Sequence, residues 1–340
     1  MHRRDAIRCT LSGMKNFANL PASVPFKAAR FIKEIGRGKN GARNLLRDDA
    51  NLLYAAMLQR TLSDLELGAV LLAMRIKGES VDEIAGFLDA AHASFALLDA
   101  PLGATMPVII PSYNGARKLP NLTPLLAMLL AREEVPVLVH GVLTDAGRVT
   151  TAEIFAALGW PIATSVTEAE QAMATKQPVF IPIAAMAPQI AGLLAMRQVL
   201  GVRNSTHTLV KILQPFRQPA LLLSSYTHPE YLILLGEYFS RAAPVGRGDV
   251  LLMRGTEGEA VANAKRAQQI DWFHEGVRRT LVERQGFVDT VPDIPADRDA
   301  ASTAEWIKQV LEGSVPVPQA ITTQVARCVA IAKGQVAYGN

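Results

Sequence analysis

The chain reads as an α/β protein, with a small N-terminal helical domain ahead of a larger α/β domain built on a mainly parallel sheet. Three observations predict this. Apolar residues recur at helical spacing through residues 25–100. After Pro101 the pattern changes to short apolar runs alternating with amphipathic stretches, as parallel strands with crossover helices require. The length of 340 residues lets either one large domain or two modest ones bury a full core.

In order along the chain, residues 1–20 form an expected extension, with Met14 as an alternative start, residues 21–101 the helical domain and residues 102–340 the α/β domain. Pro25 suits a first helical position, and Gly36 and Gly38 punctuate the end of that helix. Asp48 or Asp49 is expected to cap a second helix carrying Leu52, Leu53, Ala56 and Met57. Ser63 with Glu66 and Ser80 with Glu83 have capping-box spacing ahead of two further apolar stripes. Strands are expected at 108–110, 135–139, 179–183, 221–224 and 250–253. Helices are expected at 122–132, 151–158, 188–200 and 229–242, with two more in 300–334. The helices near 186–205 are expected to pack back on the helical domain.

Composition excludes several classes. No run of about 18 apolar residues exists, so no membrane span or membrane partner is expected. The basic residues Arg3, Arg4 and Arg8 are not followed by an apolar segment, which argues against a secretory signal. Two cysteines, Cys9 and Cys328, cannot make a disulfide scaffold, and a reduced cytoplasmic setting is the expectation. No CxxC or His-rich spacing suggests zinc, and no metal or other cofactor is expected. The net charge of +4 is uneven. Residues 1–47 hold eleven Lys and Arg against two acids, Asp5 and Glu34, so the remainder is net acidic. A concentrated basic surface favours a polyanionic partner.

Five segments could carry chemistry. Lys27, Arg30, Lys33 and Arg37 share one helix face opposite Ala28, Phe31, Ile32 and Ile35, and a Gly-rich loop with Lys39 and Arg43 follows. Exposed backbone N–H groups and cations suit phosphate, although a solvated helix face reads the same way. Residues 111–118 (Pro-Ser-Tyr-Asn-Gly-Ala-Arg-Lys) lie between a strand and a helix, where α/β domains bind ligands. Asn114, Gly115, Arg117 and Lys118 there read as an anion site or as an ordinary Asn-Gly turn. His140 ends another strand and is either a ligand contact or a structural residue. Arg203, His207 and Lys211 crowd a predicted helix start, fitting phosphate, while N-capping by Ser205 explains part of the pattern. After the fifth strand come Arg254, Glu257 and Glu259; the carboxylates could hold Mg²⁺ or cap a following helix.

A helical domain ahead of an α/β domain, with these five segments in this order, resembles the anthranilate phosphoribosyltransferase family over roughly residues 20–335. The strings that carry it are Ile-Gly-Arg-Gly-Lys at 35–39, the 111–118 segment, Val-His-Gly at 139–141, Arg-Asn-Ser-Thr-His-Thr-Leu at 203–209 and Arg-Gly-Thr-Glu-Gly-Glu at 254–259. The match is nearer to the YbiB-type branch, regarded as nucleic-acid binders. The resemblance implies a nucleoside phosphorylase-like fold and a homodimer joined through the helical domain. It also implies departures from the enzymes. Their Gly-Thr-Gly-Gly-Asp pyrophosphate loop is replaced by residues 112–118, with one glycine and no carboxylate. Their Lys-His-Gly-Asn becomes Val139-His140-Gly141-Val142, and their adjacent Asp-Glu pair becomes two glutamates split by Gly258. Arg203 matches an arginine that helps hold the acceptor acid.

The resulting expectation is a non-catalytic binder of DNA or RNA, using Lys27, Arg30, Lys33, Arg37, Lys39, Arg43, Asn114, Gly115, Arg117, Lys118, His140, Arg203, His207, Lys211 and Arg254 along a cationic groove, with Tyr113 able to stack on a base. The alternative is a glycosyl or phosphoribosyl transferase with altered donor handling, in which Glu257 and Glu259 hold Mg²⁺ and His140 touches the donor.

Overall fold

The computed structural model of the chain describes residues 26–38, 40–103, 105–288 and 292–336. Pro25, Lys39, the segment 1–20 and Cys9 lie outside the described residues. The helical part comprises α1 (Ala29–Ile35), α2 (Arg47–Leu58), α3 (Asp64–Lys77) and α4 (Val81–Ala93). Ser63 and Ser80 each accept from the N–H three residues on, and Glu66 and Glu83 reciprocate, so both capping boxes form. At α2 the expectation is corrected: Leu46 is the N-cap, and Asp48 and Asp49 lie in the first turn. There their charges meet the positive end of the helix dipole without capping it. The buried Glu83 also accepts from the Leu45 N–H at 2.9 Å and pairs with Lys77 at 2.7 Å, so it fixes the α1–α2 loop. Gly86 lets α4 approach α2, since a Cβ there would stand 2.1 Å from the Arg47 carbonyl oxygen.

The α/β part runs β1 (Val108–Ser112), α5 (Thr123–Arg132), β2 (Val137–Gly141), α6 (Thr151–Ala157), α7 (Val166–Met173), β3 (Val179–Pro182), α8 (Ile183–Met186), α9 (Pro188–Leu200) and α10 (Thr206–Leu209). It continues with β4 (Ala220–Tyr226), α11 (Pro229–Arg241), β5 (Gly248–Arg254), β6 (Arg266–Ala267), β7 (Ile270–His274), β8 (Val277–Val282), β9 (Gly286–Phe287), α12 (Ala300–Glu312) and α13 (Gln319–Ala332). The main sheet has the order β3-β2-β1-β4-β5-β7-β8. The first five strands are parallel, and β7 and β8 add an antiparallel edge. The small β6–β9 pair stands apart.

Alternation along the strands divides the core into two layers. Ile109, Leu138, Leu222 and Leu252 pack with the helical part and with Ile190 and Leu193 of α9. Ile110, Val139, Leu223 and Leu251 pack with residues of α5, α6, α12 and α13. Tyr54 of α2 reaches Thr206 of α10 at 3.0 Å, so the segment after α9 is tied to the helical part. None of the described helices is long and apolar enough to cross a membrane.

Strand order reverses between β1 and β4. In open α/β sheets the loops that leave the strand C-termini at such a point diverge and open a crevice. The loops after β1, β4 and β5 all emerge there.

Candidate functional site

The loop after β1 is closed by two carboxylates from the loop after β5. The Glu259 Oε1 atom accepts from the N–H groups of Asn114 at 2.8 Å and Gly115 at 2.6 Å. Glu257 accepts from the N–H groups of Arg117 at 2.6 Å, Lys118 at 2.9 Å and Leu119 at 3.3 Å. Successive N–H groups converging in this way form an anion nest, and here the chain supplies the anion itself. Burial pushes the Glu257 carboxyl up, but the N–H groups of Lys118, Arg117 and Leu119 outweigh it and hold the group below the ordinary carboxylate range. Gly258 makes the joint possible. Its φ is +95°, and a Cβ there would fall 1.6 Å from the Asn114 side-chain nitrogen. The element after Glu259 is the strand β6, and the next helix starts only at Ala300, so these glutamates hold a loop 138 to 145 residues earlier in the chain rather than cap a helix of their own.

Cations surround this latch. Lys211 donates to the Gly258 carbonyl at 3.1 Å, and Arg148 to the Gly115 carbonyl at 3.2 Å. Burial lowers the Lys211 ammonium to about 8, Glu259 opposes the shift, and Arg203 and Arg148 add to it. Burial likewise lowers Arg203, helped by Arg197 and Arg148. Arg197 is paired with Asp145 at 2.9 Å. His207 is lowered to about 4, by burial first and then by Arg203, so it is neutral. Arg117, Lys118 and Arg254 are exposed.

Several expected site residues take other roles. His140 is fully buried, its Nδ1 lies 2.6 Å from the Tyr113 hydroxyl, and burial lowers it to about 3. Its ring is neutral and packs edge-on against Tyr113. Tyr113, 5% exposed, cannot stack on a base. Ser205 does not cap α10; the Asn204 side chain accepts from the Thr206 N–H at 3.0 Å instead. The four-residue α10 offers little dipole for phosphate.

Of the expected cationic helix face, Arg30 and Lys33 lie on α1 and Lys27 and Arg37 flank it, because the helix runs only from Ala29 to Ile35; all four are exposed while Ala28, Phe31 and Ile35 are buried. Glu34 of α1 itself and Asp49 of α2 compensate part of this face. Arg30 pairs with Asp49 at 3.3 Å, and Glu34 takes Arg37 at 2.7 Å and Arg43 at 3.6 Å. Exposed pairs of this kind contribute about 0–1 kcal/mol, so a phosphate can replace them readily. Among the described residues no hydrogen bond or ion pair joins this face directly to the loop after β1. The connection runs through the chain: Asn44 accepts from Lys77 at 2.9 Å, and Gly78 and Glu79 border a cavity shared with Arg203, His207 and Lys211.

The fold family implies Mg²⁺ at the carboxylates, and the residues present do not fit it. Both oxygens of Glu257 and the Oε1 atom of Glu259 already accept from backbone N–H groups, the charges of Arg203 and Lys211 bear on Glu259, and the buried Oε2 atom of Glu259 is the one carboxylate oxygen of the pair left without a hydrogen-bond partner. Among the described residues no three His, Cys, Asp or Glu side chains converge as a metal site.

Sequence reasoning missed Arg148, Arg197, Tyr226 and Tyr231. Arg148 and Arg197 sit in ordinary helix or turn contexts. Tyr226 ends β4 and Tyr231 lies in the first turn of α11, after a strand end that carried no glycine or cation signal.

The latch has a testable pH signature. A carboxyl held below its ordinary value of 4.5 adds stability that is complete above that value and is lost as pH falls through the lowered one. The Glu257→Gln variant should be less stable than wild type by about 1 kcal/mol at neutral pH, a small figure because the group is partly exposed. Chemical denaturation at several pH values should show that gap closing below pH 4.5; a gap unchanged down to pH 3 would contradict the latch.

Comparison with known proteins now bears on this geometry. The helical bundle domain of the glycosyl transferase family matches residues 29–95. The chain is 47% identical over 311 residues to YbiB of Escherichia coli, covering 91% of this chain and 95% of that one. It is 26% identical over 291 residues to an anthranilate phosphoribosyltransferase of Methylocella silvestris, covering 82% and 79%. Among solved structures, anthranilate phosphoribosyltransferase of Saccharomyces cerevisiae in complex with PRPP and Mg matches with a TM-score of 0.67 at 14% identity, covering 91% and 89%. The enzyme of Thermus thermophilus matches with a TM-score of 0.63 at 20% identity, covering 89% and 87%. With a helical bundle and α/β sheet aligned along nearly the full length, the chain belongs to the anthranilate phosphoribosyltransferase-like family and is similar throughout to YbiB.

Proposed function

We propose that this protein is a non-catalytic binder of nucleic acid that holds phosphates with fixed cations and reads no base sequence. The observation that carries this reading is the latch. The N–H groups of residues 114, 115 and 117–119 are taken by Glu259 and Glu257. A pyrophosphate donor would have to displace both carboxylates and then lie beside them without a bridging metal. Meanwhile the side chains of Arg117, Lys118 and Arg254 remain on the surface, and the half-buried Arg203 bears on Glu259 of the latch. Cations without a metal suit a phosphodiester backbone, where affinity comes from released counterions. The runner-up, a transferase with altered donor handling, draws on the buried Glu259 Oε2 atom, which has no hydrogen-bond partner.

The test is fluorescence anisotropy of a labelled single strand at several salt concentrations. Log K should fall linearly with log[salt], at about 0.7 per phosphate contact. Replacing Arg30, Lys33 and Arg37 together by Ala should flatten the slope by about 2. Absence of binding near physiological salt would overturn the reading.

The helical part supports a second element, a homodimer. Leu65 (84% exposed), Leu72 (47%) and Ile76 (65%) share one face of α3, with Leu46 (71%) ahead of α2. A surface of this kind is expected to be covered by a second copy. Light scattering should give twice the 36.7 kDa chain mass, and Ile76→Asp should shift it toward a single chain; a monomeric wild type would refute the pairing.

A further inference from the structure

Of the described lysines, only Lys77 and Lys211 are not exposed. Lys77 is fully engaged, with Glu83 at 2.7 Å, the Gly78 carbonyl at 2.7 Å and Asn44 at 2.9 Å. Lys211 is not. Among the described residues its amine makes one hydrogen bond, to the Gly258 carbonyl at 3.1 Å, which also accepts from the Ser225 hydroxyl at 2.9 Å. No carboxylate among them forms an ion pair with it, and Glu259 bears on it only from longer range. An ammonium has three protons to donate, so burial with one acceptor favours the neutral amine. Burial, with Arg203 and Arg148 adding, lowers the group to about 8 against the pull of Glu259. A neutral amine carries a free electron pair and acts as a nucleophile toward carbonyl carbon.

Lys211 lines a cavity of about 150 Å³ together with Arg75, Glu79, Arg203 and Ser225. Drug-sized ligands take cavities of about 300–1,000 Å³, so this one suits a single sugar rather than a whole nucleotide. Its two arginines suit phosphate. Glu79 is the one carboxylate of the lining, and burial, with Glu83 adding, pushes its carboxyl up, so it holds a proton more readily than an exposed acid.

We propose that Lys211 captures the aldehyde of an abasic site in bound nucleic acid as a reversible imine. The proposal rests on the nucleic-acid reading above and adds a chemical target to it. Where a base has been lost, the sugar ring opens and its C1′ becomes an aldehyde, while the adjoining phosphates remain for Arg75 and Arg203. The Lys211 nitrogen adds to C1′, the carbonyl oxygen leaves as water with both amine hydrogens, and a C=N bond remains. Nothing is oxidised or reduced, no metal takes part, and hydrolysis reverses the step. Departure of the hydroxyl of the adduct needs a proton, and Glu79 is a group of the same cavity that holds one. No strand is cut, so the capture agrees with a non-catalytic binder.

The experiment incubates the full chain with a labelled strand carrying one abasic site, or with the intact strand, in the presence of sodium cyanoborohydride, which reduces an imine to a stable amine. Protein is held at a concentration where anisotropy shows the strand bound. Only the abasic strand should give a covalent adduct, and peptide mapping of the wild-type adduct should place it on Lys211. Lys211→Arg, which keeps a charge and loses the nucleophile, should cut the adduct yield about tenfold or more. Lys308→Arg, at an exposed position of α12, should leave the yield unchanged. An adduct mapped only to exposed lysines such as Lys118 would overturn the assignment to Lys211, and binding of both strands with no adduct would overturn the capture; each result leaves salt-dependent binding in place. Failure of both strands to bind would instead overturn the nucleic-acid reading and the capture with it.

Discussion

Two glutamate carboxylates reach from the loop after β5 into the backbone N–H groups of the loop after β1, and the geometry of the crevice depends on this contact. Five N–H groups point into the site because β1 ends in a turn through Gly115 instead of running straight into α5. Left without partners in a half-buried crevice, those donors would destabilise the fold. Glu259, 1% exposed, would be equally costly without them. Each group therefore stabilises the other. Gly258 is the residue that permits the approach, because any side chain there would collide with Asn114.

The latch also sorts the charges around it. Acidic groups turn inward: Glu257 and Glu259 onto N–H groups, Asp145 onto Arg197, Asp271 onto Arg278 and Thr280. Cations are left outward at the strand C-termini and on α1. A small excess of charge summed over 340 residues thus becomes a locally positive surface. The pairs that α1 makes with Asp49 and Glu34 are exposed and weak, so they orient the arginines without locking them.

Much of the fold was legible in the sequence, because capping boxes and apolar runs are local signals. Ser63 and Ser80 announced α3 and α4, and the runs around Ile109, Phe180 and Leu222 announced strands. The antiparallel edge went unseen, although Glu275-Gly276 between β7 and β8 is a two-residue turn with positive φ at both positions, the usual hairpin geometry. The site was legible in its segments and not in its pairings. Residues 111–118 and 254–259 stood out separately, but nothing in either string says that Glu257 meets Lys118 across 139 residues. His140 and Tyr113 looked available because strand ends usually are; mutual hydrogen bonding and complete burial remove them. Tyr226 and Tyr231 carried no motif, and only the fold shows that they border one cavity with Arg203 and Lys211.

The central claim is that fixed cations beside a self-filled nest hold polyanions without metal. The most direct measurement is displacement of a bound fluorescent single strand by phosphoribosyl pyrophosphate, with and without Mg²⁺, at constant ionic strength. The account predicts no displacement beyond that produced by an equal concentration of inorganic pyrophosphate, and no gain from Mg²⁺. Saturable displacement that requires Mg²⁺ would show that the nest opens to the donor and would contradict it.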